Sequence, residues 1–239
     1  MTYVEGFVTP VPTSNRDAYA EHAAQAAELF KEFGATRVVE AWGDDVPDGE
    51  VTDFKRAVKA KNDETVAFGW LEFPSKEARD AFTEKMQSDA RTKDMGDSMP
   101  FDGQRMIFGG FAPIVEEGNG ERGGYVDGYV VPVPSGQKQA YRDVARKAAE
   151  VFKEHGATRV VEGWGDDVPE GEVTDFRRAV KAKDDETVVY SFIEWPTREA
   201  RDKGMKEAME DPRMQLDRSS MPFDGQRMIY GGFASLLDE

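Results

Sequence analysis

The chain has 239 residues, with 47 acidic against 31 basic side chains, a formal net charge of −16 and no cysteine. Without a thiol it can form no disulfide, thiolate zinc site or cysteine nucleophile, and its negative excess repels nucleic-acid backbones and anionic lipid. A hydrophobic content of 39% supports a real core. Residues 1–10 carry no leader pattern and no apolar run approaches the roughly 20 residues of a bilayer span, so a soluble, cytoplasmic protein with no nucleic-acid or membrane partner is expected.

Tyr3 to Val11 alternates and is rich in β-branched and aromatic residues, which predicts a strand. Tyr19, Ala23, Ala26, Ala27 and Phe30 then fall at spacings of three and four, one face of a helix that Gly34 can stop in a left-handed conformation. Thr36 to Val46 reads as a second strand. Thr52 to Lys61 carries Phe54, Ala57 and Val58 at helical spacing, a short helix with a strand-like excursion as the alternative. Glu64 to Phe73 is a third strand, closed by Pro74, and Ser75 caps a helix reaching about Ser88. A loop containing the turn-like Pro100-Phe101-Asp102-Gly103 leads into a fourth strand, Arg105 to Phe111. The order βαββαβ is that of a ferredoxin-like α+β unit, an antiparallel sheet with both helices on one face.

The chain then repeats itself. Tyr3-Val4-Glu5-Gly6-Phe7-Val8 aligns with Tyr125-Val126-Asp127-Gly128-Tyr129-Val130, an offset of 122 that holds without a gap to the end. GATRVVEAWGDDVPDGEVTDF (34–54) returns as GATRVVEGWGDDVPEGEVTDF (156–176), and MPFDGQRMIFGGF (99–111) as MPFDGQRMIYGGF (221–233). So long a period marks domain-sized copies. The expected division is a first repeat at 1–117, a Gly-rich linker at 118–124 and a second repeat at 125–239. The polar stretch Pro113 to Gly124 has the composition of a flexible connector.

Strand parity assigns faces. Val4, Gly6 and Val8, with Val39 and Ala41 and with Ala67, Gly69 and Leu71, form a small aliphatic set suited to helices. Tyr3, Glu5 and Phe7, with Glu40 and Trp42 and with Phe68, Trp70 and Glu72, form the opposite set, too apolar for water. The second copy carries the same set, so the two sheets are expected to meet face to face as a pseudo-twofold pair within one chain.

VEGFV, FKEFGATRVVEAWGDDVP, DFKRAVKAK and MPFDGQRMIFGGF resemble the DUF1428 (YbaA-like) family of the dimeric α/β-barrel superfamily, over essentially all of both copies. The resemblance implies two ferredoxin-like half-barrels forming an intrachain dimeric α/β-barrel, with the tandem copy in place of a second subunit. A monomer is therefore expected. Fold-level analogy to that superfamily implies a cavity between sheet and helices, and cofactor-independent oxygenase or isomerase chemistry.

Glu40 and Glu72, with their counterparts Glu162 and Glu194, are the candidate general bases, since a carboxylate beside apolar rings can take a proton from an enolisable or phenolic substrate. Against this, buried charges are usually paired, and each glutamate can simply meet an arginine. Trp42, Trp70, Trp164, Tyr3 and Tyr125 are candidate ligand-binding residues, with plain packing as the alternative. Gly-Asp-Asp at 43–45 and 165–167 fails the calcium-loop pattern and reads as a hydrogen-bonded turn. The glycine pattern at 118–123 precedes a strand instead of opening a helix, so it is no dinucleotide motif. His22 and His155 align with Val144 and Phe33, which excludes a symmetric histidine site and leaves the reading of lone surface histidines. No metal or cofactor is expected. The functional expectation is a small-molecule-binding protein or a cofactor-independent oxygenase or isomerase. Its alternative is a non-catalytic structural pseudo-dimer.

Overall fold

The computed structural model describes residues 2–215 and 221–239. The first repeat runs β1 (Tyr3–Pro12), α1 (Arg16–Phe33), β2 (Arg37–Asp45), α2 (Phe54–Ala57), β3 (Glu64–Phe73), α3 (Lys76–Ser88), α4 (Ala90–Asp97) and β4 (Ile107–Gly118). The second runs β5 (Tyr125–Pro134), α5 (Lys138–Glu154), β6 (Arg159–Asp167), α6 (Phe176–Ala179), β7 (Glu186–Trp195), α7 (Arg198–Glu210) and β8 (Ile229–Asp238). Sequence signals act where expected. Gly34 closes α1 at φ 122°, and the Ser75 side chain accepts from the Ala78 N–H to cap α3. The 52–61 segment contains the short helix α2, capped by Asp53. Helix α4 lies in a stretch read as loop; at the equivalent start in the second repeat, Pro212–Met214 forms a 3-10 turn.

The eight strands close into one antiparallel barrel in the order β1-β3-β2-β8-β5-β7-β6-β4. The halves are interlocked. Strand β4 pairs with β1 over Ile107–Phe111 and then crosses to pair with β6 as far as Gly118; β8 does the same between β5 and β2. Pro113–Gly118 is therefore barrel strand and not flexible connector, because its backbone groups find partners on β6.

Register corrects the assignment of faces. Val4, Gly6 and Val8 lie opposite Glu72, Trp70 and Phe68, and Val39 and Ala41 lie opposite Trp70 and Phe68. Residues directly opposite share a face, so the aromatic residues of β3 point inward together with the small residues of β1 and β2. Glu5, Phe7, Thr9, Glu40 and Trp42 point outward with Ala67, Gly69 and Leu71, under the helices. The expected aromatic-acidic surface thus splits, and Glu40 and Glu72 lie on opposite faces of the wall.

Small next to large fills the barrel. Phe68 and Tyr190, equivalent residues of the two repeats, stack with centroids 4.6 Å apart and planes 4° apart. A Cβ on Gly128 would come within 2.5 Å of the Phe68 ring, and one on Gly6 within 2.7 Å of Tyr190. Trp70 stacks on Phe192 at 4.0 Å. Phe54 of α2 and Phe176 of α6 close one end as part of the same core, tied by reciprocal bonds from the Thr52 hydroxyl to the Ala179 carbonyl (2.6 Å) and from Thr174 to Ala57 (2.7 Å).

Candidate functional site

Two of the four candidate glutamates close the other barrel end. Arg159 bonds both Glu72 oxygens, at 2.6 and 3.2 Å, and also reaches Glu194 and Glu116. Arg37 bonds both Glu194 oxygens, at 2.9 and 2.8 Å, and Asp238. Burial pushes the Glu72 carboxyl up, but the Arg159 guanidinium, with the Trp70 N–H and Arg37, outweighs it and holds the group below its ordinary range. Burial raises the Glu194 carboxyl against the opposing pull of Arg37 and Arg159, and both glutamates are cation-paired groups joining the halves, as the packing alternative anticipates.

Glu40 and Glu162 are different. Each points outward from its strand beneath the first helix of its repeat and has no cationic partner among the described residues. The Tyr19 hydroxyl donates to Glu40 at 2.6 Å, and the Tyr141 hydroxyl to Glu162 at 2.7 Å. Burial drives Glu40 up to about 8, opposed only by Tyr19. Burial likewise raises Glu162 to about 7, opposed by the Tyr141 and Ser191 hydroxyls. The two tyrosines are themselves pushed well above their ordinary value, by burial and then by the neighbouring glutamate, and stay protonated donors.

Each pair lies in the wall of a cavity between sheet and helices. The first, about 230 Å³, is bounded by Phe7, Thr9, Tyr19, His22, Phe30, Glu40, Phe82, Phe101 and Phe108, with Met86, Met95, Met99 and Met106. The second, about 340 Å³, is bounded by Tyr129, Val131, Tyr141, Phe152, Glu162, Ser191, Ile193 and Phe223, with Met209, Met214, Met221 and Met228 and with Lys147 and Arg213. Four thioethers in each give an apolar, adaptable lining. Such a carboxyl can donate a hydrogen bond when neutral and take a proton near pH 7 when ionised.

The aromatic candidates lie elsewhere. Trp70 is fully buried in the barrel core. Trp42 packs near Tyr19 and under Arg16, Trp164 lies under Lys138, and neither lines either of these two cavities. Tyr3 and Tyr125 instead lock the halves, donating to Asp166 at 3.0 Å and Asp44 at 2.9 Å. This explains the Gly-Asp-Asp segments. They are bulged strand ends, not turns, and their acids also meet Lys76, Arg79, Arg198 and Arg201 of the opposite repeat. Among the described residues no three His, Asp or Glu side chains gather as a metal site, and no helix is long and apolar enough to cross a membrane. His22 borders the first cavity half-buried, its pKa lowered by burial, and is not the surface histidine expected.

Sequence reasoning placed Tyr19 as an ordinary helix-face residue and singled out neither Tyr141 nor the methionines. The Tyr–Glu pair was accessible as a tyrosine repeated at the 122 offset on a helix face rich in alanine.

Comparison with known proteins follows the same division. The family described as "Protein of unknown function (DUF1428)" matches residues 2–103 and again 124–225. The Escherichia coli K12 protein YbaA, described as uncharacterized, is 62% identical over 117 residues, 49% of this chain and 100% of that protein; YbaA of Shigella flexneri matches equally. Two solved structures share the fold across both halves. One, from Fusobacterium nucleatum, has a TM-score of 0.62 at 10% identity, covering 100% of this chain and 94% of its own. The other, from Lactobacillus acidophilus, has a TM-score of 0.59 at 10% identity, covering 100% and 96%. Both are provisionally named monooxygenases, and at that identity the likeness concerns fold alone. Matched twice over nearly its whole length, the chain belongs to the DUF1428 family, as two tandem members in one barrel.

Proposed function

We propose that the helix-covered cavities bind small, largely apolar ring compounds and that the tyrosine-held glutamate moves a proton on them. The observation that carries this reading is Glu162, half-buried in the wall of a 340 Å³ cavity with tyrosine and serine hydroxyls and no cationic partner among the described residues. A structural carboxylate would be paired, as Glu72 is. A cavity of a few hundred Å³ with apolar walls and a few polar groups is the ordinary form of a ligand site.

The chemistry is abstraction of an acidic proton from an enolisable carbonyl compound or a phenol. The C–H or O–H bond breaks, its proton passes to the Glu162 carboxylate, and the electron pair moves onto the substrate oxygen. Isomerisation returns that proton to another carbon. A cofactor-independent oxygenase would start with the same step and add dioxygen to the carbanion, in keeping with the provisional name of the two fold relatives. The test is deuterium exchange at C1 of 2-tetralone in heavy water, followed by proton NMR. Exchange above the buffer rate that is lost in Glu162→Gln supports the reading. No Glu162-dependent exchange overturns it and leaves the structural pseudo-dimer, a reading that the filled barrel interior favours.

A further inference from the structure

The two cavities differ where the repeats differ. In the second, Glu162 on β6 faces Ser191 on β7, Ser191 faces Tyr129 on β5, and Tyr129 faces Tyr230 on β8. The four residues form one row across the sheet on the helix side. The equivalent row in the first repeat is Glu40, Gly69, Phe7 and Phe108. There the Phe7 ring lies over the bare glycine, so close that a Cβ on Gly69 would sit 2.5 Å from it. Phe7 thus covers the ground between itself and Glu40.

Ser191 forbids that arrangement in the second repeat, because its Cβ occupies the place the ring would need. The Tyr129 ring instead stacks with Tyr230, centroids 6.5 Å apart, and Ser191 itself borders the cavity. The result is a floor about two strand spacings wide, roughly 10 Å, with a carboxyl on one side and a phenol on the other. Tyr129 borders this space, and its hydroxyl forms no hydrogen bond with any described residue. The groups that act on it are Asp127, Arg201, Glu162 and Tyr230, and it is held protonated by burial.

We propose that Tyr129 is the second catalytic group of this site, donating to the enolate or phenolate oxygen of a flat ring substrate lying over Ser191, and that the reaction is confined to the second repeat. This inference rests on the proposed proton transfer. As Glu162 takes the proton, the substrate oxygen gains the electron pair, and Tyr129 supplies the hydrogen bond that the developing charge needs. Phe7 has no hydroxyl to offer and closes the space, so the first cavity binds neutral apolar molecules without turning them over.

The test compares wild type, Tyr129→Phe and Glu162→Gln in 2-tetralone exchange, with naphthalene binding measured in parallel by fluorescence. Tyr129→Phe is expected to retain naphthalene binding while losing exchange roughly 100-fold, the loss typical of removing one oxyanion donor. Wild-type exchange in Tyr129→Phe, with loss in Glu162→Gln, overturns the role of Tyr129 and leaves the proton transfer standing. Absence of Glu162-dependent exchange in the wild type overturns both.

Discussion

The Tyr141 hydroxyl donates to Glu162 at 2.7 Å, and nothing positively charged stands behind that carboxyl among the described residues. The same pair, Tyr19 with Glu40, recurs in the first repeat at 2.6 Å. The burial that raises these glutamates makes them proton carriers near neutrality, and it is also a cost to the fold that varies with pH.

That cost is measurable at Glu40. Its folded carboxyl keeps the proton up to about pH 8, against an ordinary value of 4.5. Between those values the folded state binds more protons than the unfolded chain, so stability is fully present below 4.5 and falls as pH rises through the window. At ~1.4 kcal/mol per pKa unit the fall amounts to a few kcal/mol. In Glu40→Gln the decline between pH 5 and 8 should be shallower, read as urea midpoints at pH 5, 6.5 and 8; unchanged slopes would count against a buried, raised carboxyl.

The ion pairs at the barrel end respond differently. Arg159→Met leaves Glu72 and Glu116 without their closest cation and should cost about 3–5 kcal/mol, the usual penalty for orphaning a buried charge. The double variant Arg159→Met with Glu72→Met should be more stable than Arg159→Met alone. Equal or lower stability in chemical denaturation would mean that the network contributes more than mutual neutralisation.

Trp70→Ala removes a ring stacked 4.0 Å from Phe192 in the closed core. A loss of about 3–5 kcal/mol is expected from the cavity created, with naphthalene binding retained, because Trp70 belongs to the barrel interior and not to either helix-covered cavity. Loss of binding in a folded Trp70→Ala protein would contradict that separation.

Close packing across the pseudo-twofold gives a further case. A methyl group on Gly128 would meet only atoms of the Phe68 ring as its nearest contacts. Gly128→Ala should therefore lower the thermal midpoint, and Phe68→Leu should recover part of the loss in the double variant. A cycle without coupling would show that the contact relaxes at no cost.

Much of this was legible in the sequence. The 122-residue offset announced two units, alternation marked the strands, and Gly34 and Ser75 marked helix ends, because each signal depends only on local geometry. Shared faces across strands were not legible. Parity orders residues within a strand, but the phase between β3 and its neighbours is set by register, which put Trp70 opposite Gly6 and sent Glu72 inward while Glu40 went out. The pairing of Glu72 with Arg159 depends on the opposite repeat, and sequence spacing carries no trace of it. Likewise Pro113–Gly118 looks like a linker by composition and becomes strand only because β6 offers it partners.

The most direct test is a carbon-13 titration of the glutamate carboxyls, with Glu40 and Glu162 assigned through their glutamine variants. The expected inflexions are at about 8 for Glu40 and about 7 for Glu162. Inflexions near the ordinary 4.5 would mean that water or an unseen cation solvates these groups, and proton transfer by a buried, tyrosine-held glutamate would be contradicted.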